Sequence, residues 1–227
     1  IHAIMGENGA GKSTLIKTIT GAIHPDSGVI RFDGREFSSL TPALSAEVGI
    51  GAIYQEFNLV YQLSVAENIF LGNYPGKGGM VDFKEMNQKA AEVLDRVGVP
   101  IPPQAIVYGL TVGRQQIVEI ARSLVKNIKL LIMDEPSAPL TTAEVDQMLE
   151  IVRTLRDEGM TIIYISHRME EVFGLADRIS VFRDGQYVTT LVTAETTMDE
   201  LIRYMVGRQL KTEFPARRTP IGEEVLR

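Results

Sequence analysis

The chain has 227 residues, of which 44% are hydrophobic and 23% are charged, and its formal net charge is -6. This length and composition suit one large α/β domain of an ordinary globular protein, and the acidic balance argues against a nucleic-acid partner, which favours a basic face. The sequence contains no cysteine, which excludes disulfides and thiolate metal sites, and no apolar run long enough to span a bilayer.

The first predicted strand, residues 1–5, leads into a segment that fits the phosphate-binding pattern Gly-x-x-x-x-Gly-Lys-Ser/Thr without a mismatch. Its glycines let backbone N–H groups approach a polyphosphate, Lys12 supplies a charge for the terminal phosphates, and the Ser13 hydroxyl is suited to ligate Mg²⁺. A predicted helix follows, and its N-terminal amides favour an anion. The Asn-Lys-x-Asp motif that recognises guanine is absent, so we expect ATP. The predicted nucleotide-binding residues of this segment are Gly6, Glu7, Asn8, Gly9, Ala10, Gly11, Lys12, Ser13 and Thr14.

The next segment is predicted to add a hairpin and a strand. Residues 29–37 indicate a hairpin with a type I′ turn at Asp33-Gly34, forming a small antiparallel sheet beside the nucleotide. Residues 48–54 indicate a strand that delivers Gln55 at its carboxyl end, where an open α/β sheet builds its ligand site. The Gln55 amide is suited to a metal ion and to an attacking water.

Residues 64–126 are predicted to form an all-helical insertion in the α/β core. Helical patterns occur at 65–71, 83–97 and 113–125, and a glycine-rich connection at 72–79 separates the first two. Beyond the insertion the α/β pattern returns, with two buried strands, a helix between them, a closing hairpin and a last helix. These elements are predicted at 130–133, 161–165, 142–155, 178–188 and 198–206, and the charged, proline-containing residues 209–227 indicate a linker.

Polar residues follow both buried strands. Asp134 comes directly after four apolar residues, as the metal-binding aspartate of many nucleotide hydrolases does, and is expected to hold Mg²⁺ through water. Glu135 beside it is suited to polarise the attacking water, and His167 is placed to contact the γ-phosphate. We therefore predict catalytic roles for Glu135, His167 and Gln55, and a metal site made of Ser13, Gln55 and Asp134.

A further segment, residues 110–116 with the sequence LTVGRQQ, precedes a helix and completes a pattern that resembles the ATP-binding cassette family. That family has a Leu-Ser-Gly-Gly-Gln signature in a helical insertion between its glutamine loop and its metal-binding strand, and the order here is the same. Residues 137–141 correspond to the family's dimer loop. In the family, two cassettes sandwich two ATP molecules, so the resemblance implies that Thr111 and Gly113 contact a nucleotide held by a partner cassette.

Four stretches make the chain similar to the first cassette of bacterial monosaccharide importers, namely residues 54–56, 63–72, 166–172 and 205–208. The resemblance implies an ATP hydrolase, with ATP and Mg²⁺ as cofactors, at the cytoplasmic face of the bacterial inner membrane. It would power a permease that receives its sugar from a periplasmic binding protein. Those importers carry two cassettes in one polypeptide, joined by a linker like residues 209–227.

The sequence departs from the family pattern at three positions within the chain. Thr111 stands where Ser is usual, Arg114 stands where such importers usually have Gln, and Pro139 removes an N–H donor from the dimer loop. The resemblance implies that the family's adenine-stacking aromatic residue lies upstream of Ile1, outside this chain. The chain begins without Met and directly in a predicted strand, so we expect its true N-terminus to lie further upstream.

The resemblance and the residue patterns together predict a P-loop NTPase of the α/β class. A RecA-like, mostly parallel core sheet is expected with an antiparallel β subdomain and the inserted all-helical subdomain. The cassette is predicted over residues 1–208, with its core at 1–63 and 127–208 and its helical part at 64–126.

Two alternative functions stay open. A soluble cassette ATPase acting on the ribosome or nucleic acid is expected to carry basic arms, and only Arg217-Arg218 is dibasic here. A degenerate partner that does not hydrolyse ATP is expected to lack site residues such as Lys12 and Glu135, and both are present.

Overall fold

A computed structural model describes residues 1–126 and 128–207, so the predicted linker 209–227 lies outside the described residues. In chain order its strands and helices are β1 (His2–Met5), α1 (Lys12–Ile19), β2 (Ile30–Phe32), β3 (Arg35–Phe37), α2 (Pro42–Val48), β4 (Ile50–Ile53), α3 (Val65–Ile69), β5 (Gly76–Lys77), β6 (Met80–Val81), α4 (Phe83–Arg96), α5 (Val112–Leu124), β7 (Leu130–Asp134), α6 (Thr142–Asp157), β8 (Thr161–Ile165), α7 (Met169–Leu175), β9 (Arg178–Arg183), β10 (Gln186–Val192) and α8 (Met198–Val206).

A mixed, mostly parallel sheet forms the centre of the described part. Its strands follow the order β10-β9-β1-β8-β7-β4, and all neighbouring pairs are parallel except β10 with β9. The interior strands are apolar on both faces, because helices cover both. Ile4 and Ile132 pack with α1 and α2, whereas Leu131 and Tyr164 pack with α5 and α6. This sheet confirms the predicted α/β class.

The predicted hairpin forms a separate antiparallel sheet of β2 and β3, with Ile30 opposite Phe37 and Phe32 opposite Arg35. Its turn residues Asp33 and Gly34 have φ of 50° and 72°. Two successive positive φ values are what a type I′ turn requires, so the turn type is confirmed.

The insertion contains α3, α4 and α5, which pack against one another. It also contains the β5–β6 hairpin, so the prediction that it is all-helical is wrong in this detail. Gly78 and Gly79 have φ of 61° and 81°, which allows the tight turn between Lys77 and Met80. The apolar cluster of the insertion is continuous, through Ile53 and other residues, with the sheet face that carries Leu131 and Tyr164.

Two helices, α2 and α7, were not predicted. α2 carries the usual end signals, because Thr41 caps it by accepting the Leu44 N–H at 3.2 Å, Pro42 begins it and Gly49 ends it with φ 98°. The strand predicted over 48–54 therefore begins only at Ile50. Among the described residues, no helix has the length and apolar character needed to cross a membrane.

Candidate functional site

The carboxyl ends of four adjacent strands bring the predicted polar residues to one edge of the sheet. Strand β1 leads into the glycine-rich loop, β4 is followed by Gln55, β7 ends at Asp134, and β8 is followed two residues later by His167. A cavity of about 220 Å³ opens at this edge. Its lining residues are Asn8, Gly9, Ala10, Gly11, Lys12, Ser13, Thr14, Gln55, Asp134 and Glu135.

The loop between β1 and α1 depends on glycine at two kinds of position. Gly11, the residue before α1, has φ 98°, a conformation that other residues rarely adopt. Gly6 has no room for a side chain, because a Cβ there would lie 2.3 Å from the carbonyl oxygen of Phe182 in β9. The loop is therefore shaped by a strand far away in sequence.

The buried Lys12 ammonium group lies inside the curve of this loop. Its Nζ donates hydrogen bonds to the carbonyl oxygens of Gly6 at 2.7 Å and Glu7 at 3.1 Å. These bonds hold a positive charge at the N-terminus of α1, where the backbone amides also favour an anion. The arrangement suits a phosphate group.

Asp134 and Glu135 place two carboxyl groups at the same edge. Burial and the neighbouring Glu135 charge raise the pKa of Asp134, and the Lys12 and Lys17 charges oppose the shift. Glu135 has φ 49°, a left-handed backbone conformation that costs free energy in a residue with a side chain. Its N–H donates to the Ile165 carbonyl oxygen at 2.9 Å, which ties this strained residue to the end of β8.

His167 joins the site through Glu135. Its Nδ1 lies 3.3 Å from a Glu135 carboxylate oxygen, and its side chain is 59% exposed while that of Glu135 is 17% exposed. His167 is outside the cavity lining, so its predicted contact with a γ-phosphate stays a prediction.

The signature-like segment lies away from this cavity. Thr111 caps α5, accepting the Arg114 N–H at 3.4 Å, and the Gly113 N–H donates to a Glu144 carboxylate oxygen at 3.1 Å. Hydrogen bonds from Thr141, Gly113 and Thr111 hold the pKa of Glu144 below its usual value. Thr111 and Gly113 are not in the lining of the phosphate-loop cavity, so their predicted contact with a partner's nucleotide remains a prediction.

A second contact of α5 reaches the chain just after Gln55. The Asn58 N–H donates to Glu119 at 2.8 Å, and Arg122 donates to the Asn58 carbonyl oxygen at 2.6 Å. Burial raises the pKa of Glu119, while the Asn58 and Arg122 contacts oppose the shift. Sequence reasoning missed Glu119, because nothing local in the sequence indicates its pairing with Asn58.

The donor set at the cavity fits magnesium. The Ser13 hydroxyl, the Gln55 amide and the Asp134 carboxylate all belong to residues of its lining, and Mg²⁺ prefers such oxygen ligands. In the part of the chain that the structure describes, no cluster of three or more His, Cys, Asp or Glu side chains is found. A magnesium site needs none, because one or two carboxylates with phosphate oxygens and water usually suffice.

Comparisons with known proteins agree with this geometry. A family model described as ABC transporter matches residues 1–138. The ribose import ATP-binding protein RbsA of Geobacillus kaustophilus (strain HTA426) is 50% identical over 229 residues, covering 100% of this chain and 46% of the relative. The chain thus spans about half the length of the curated relatives that it matches.

Solved structures show the same fold. A nucleotide-free ATP-binding cassette from an ABC transporter has a TM-score of 0.78 and 28% identity, over 92% of this chain and 84% of that one. A dimeric post-hydrolysis state of the ATP-binding cassette MJ0796, bound to ADP and Pi, has a TM-score of 0.72 and 25% identity, over 85% of each chain.

Proposed function

Because this chain belongs to the ABC transporter family, we propose that it binds and hydrolyses ATP to power import of a monosaccharide through a membrane permease. One observation carries the proposal: the phosphate loop, Gln55, Asp134 and Glu135 line a single cavity. The relatives named as ribose import proteins support the sugar class. They do not favour the alternative of a cassette ATPase acting on the ribosome or nucleic acid.

In this proposal the loop residues bind the phosphates of ATP. The backbone amides of residues 6–14 and the Lys12 ammonium surround the anion. Ser13, Gln55 and Asp134 would hold Mg²⁺, and the bound ion would neutralise part of the phosphate charge.

Glu135 acts as the general base, because it belongs to the residues that line the cavity and its carboxylate can orient and polarise a water there. His167, 3.3 Å from that carboxylate, orients it and contacts the γ-phosphate. Both residues sit on loops that follow neighbouring strands, so the sheet brings them to the same edge.

A second cassette completes the site, with Thr111 and Gly113 of each cassette facing the nucleotide of the other. The half-length match supports a second cassette in the same polypeptide, and the dimeric cassette structure supports the pairing. Residues 64–126 form the helical lobe that docks on the permease, and residues 1–63 with 127–208 form the core. A periplasmic sugar-binding protein supplies the permease, no nucleic acid takes part, and the cassettes lie at the cytoplasmic face of the inner membrane.

Replacing Glu135 by Gln in the full-length protein tests the proposal. The substitution keeps the shape of the side chain and removes its basic carboxylate, so ATP binding is retained and turnover falls by about 10²–10⁴-fold. The measurements are ATP affinity and steady-state phosphate release. Glu170→Gln, an exposed change on α7, is the matched control and keeps both. Phosphate release by Glu135→Gln at the wild-type rate would falsify the role of Glu135.

A further inference from the structure

A buried carboxylate on α7 gathers hydroxyl groups from three places in the chain. Glu171 is 5% exposed, and its Oε2 accepts hydrogen bonds from Ser137 Oγ at 2.8 Å, Tyr164 Oη at 2.8 Å and Ser166 Oγ at 2.9 Å. Arg168 lies 3.5 Å from the other oxygen, Oε1. A buried carboxylate needs such donors, because desolvation without them is costly.

Two of these donors flank the Glu135–His167 pair. Ser137 lies two residues after Glu135, and Ser166 directly precedes His167. The Ser166 Oγ also accepts the Arg168 N–H at 3.0 Å, so the hydroxyl ties both sides of His167. One carboxylate therefore holds the two loops whose side chains meet at 3.3 Å.

We propose that Glu171 is a positioning residue, which sets the distance and orientation between Glu135 and His167 by tethering their loops through Ser137 and Ser166. The inference rests on the proposed ATP hydrolysis. Glu171 is not among the residues that line the phosphate-loop cavity, so it acts through its neighbours.

The pair needs such a tether for two reasons. Glu135 has the left-handed φ of 49°, a conformation that persists only when the surroundings restrain it. The His167 side chain is 59% exposed, so packing alone restrains it little. A carboxylate is suited to the task because its charge strengthens the three hydrogen bonds that Oε2 accepts. A neutral Gln amide would also present an NH2 group to Arg168 in place of Oε1.

The test compares five variants of the full-length protein by kcat, KM for ATP and melting temperature. Ser137→Ala and Ser166→Ala each remove one loop tether and keep the carboxylate. We expect each to lower kcat about tenfold to a hundredfold with KM within about twofold, because a misplacement of about 1 Å can cost about 10²-fold in rate. Glu171→Gln, where it folds, is expected to lower kcat in the same way with KM near the wild-type value. Ser166→Thr is expected to keep kcat near the wild-type value, because its hydroxyl is retained.

Tyr164→Phe is the matched control, since it removes a hydrogen bond to the same Glu171 oxygen without touching either loop. It is expected to lower the melting temperature and to leave kcat within about twofold of wild type. Equal loss of melting temperature in all three hydroxyl variants, with every kcat near wild type, overturns the positioning role and leaves Glu171 structural. A wild-type protein that does not hydrolyse ATP instead overturns the proposed function.

Discussion

The ionised Asp134 carboxylate destabilises the nucleotide-free fold, because burial and the Glu135 charge raise its pKa. In the unfolded state the Asp134 carboxyl has its usual pKa near 3.8, so just above that pH the folded state holds more protons than the unfolded state. The free energy of unfolding then falls as pH rises through this region. The group that we expect to bind metal is thus maintained at a cost in stability.

We predict that Asp134→Asn raises the melting temperature at pH 7.5, without nucleotide or metal, while it abolishes ATP hydrolysis. The gain should shrink as pH falls toward the usual Asp pKa, because the raised pKa lets the folded wild-type carboxyl take up its proton before the unfolded one does. Thermal unfolding of both proteins at a series of pH values from 7.5 to 4.5 measures this difference in melting temperature. Asp95→Asn, an exposed change on α4, controls for loss of a surface charge. A gain that is independent of pH would contradict the electrostatic explanation.

The first glycine of the phosphate loop is predicted to tolerate no substitution. A Cβ at Gly6 would meet the Phe182 carbonyl oxygen at 2.3 Å, and this backbone atom cannot rotate away. Gly6→Ala should cost about 1–3 kcal/mol of unfolding free energy and weaken ATP binding at least about tenfold. Urea unfolding and nucleotide titration measure the two effects. Gly109→Ala, with nothing within 4 Å of an added Cβ, should be near neutral, and equal losses in both would refute the steric cause.

Single helices depend on their end residues. Helix α3 begins with a capping box in which Ser64 Oγ accepts the Glu67 N–H at 3.2 Å and Glu67 accepts the Ser64 N–H at 2.8 Å. Ser64→Ala should lower the free energy of unfolding by about 0.5–2 kcal/mol, because the Glu67 N–H loses its acceptor. Ser64→Thr keeps the capping oxygen and should recover most of the loss in urea unfolding. Equal stability of the Ala variant and wild type would exclude the cap.

Elements with a strong local pattern were predictable from sequence. The bounds of β8 and α8 agree with their patterns at 161–165 and 198–206, and the Asp33-Gly34 turn was predicted by its type. α2 was missed although its end signals are present, because seven residues give too little apolar periodicity.

The candidate site likewise contains residues that the sequence predicts and residues that it does not. The loop and the polar residues at strand ends have local signals, and the structure brings them to one cavity. The partners of three glutamates have no such local signal in the sequence. Glu119 pairs with Asn58 at a separation of 61 residues, Glu144 with Gly113 at 31, and Glu171 with Ser137 at 34. Only the folded chain brings these groups together.

For the molecule as a whole, we predict that residues 1–227 alone bind Mg-ATP weakly and hydrolyse it very slowly. The proposed opposing signature helix then comes from a second cassette, and one missing transition-state donor can cost about 10²–10³ in rate. The proposal also expects an adenine-stacking aromatic residue outside residues 1–227. Base–aromatic stacking contributes roughly 1–3 kcal/mol, about five- to a hundredfold in affinity.

Phosphate release by this chain and by the proposed tandem protein, over a concentration series, measures the difference. A rate for the isolated chain that rises with concentration would indicate homodimers. A rate as high as that of the tandem protein and independent of concentration would show that one cassette is sufficient.

The close approach of Gly6 to Phe182 limits how freely the phosphate loop can be moved between proteins. The loop packs against the backbone of β9 and of the turn that follows it. Besides the contact of Gly6 with Phe182, a Cβ added to Gly11 would lie 3.4 Å from the Cα of Gly185 in that turn. Grafting residues 6–14 onto another strand–helix pair transfers the sequence of the loop without the backbone against which it packs. Such a graft needs a backbone partner in the place of residues 182–185 before the loop adopts its curve.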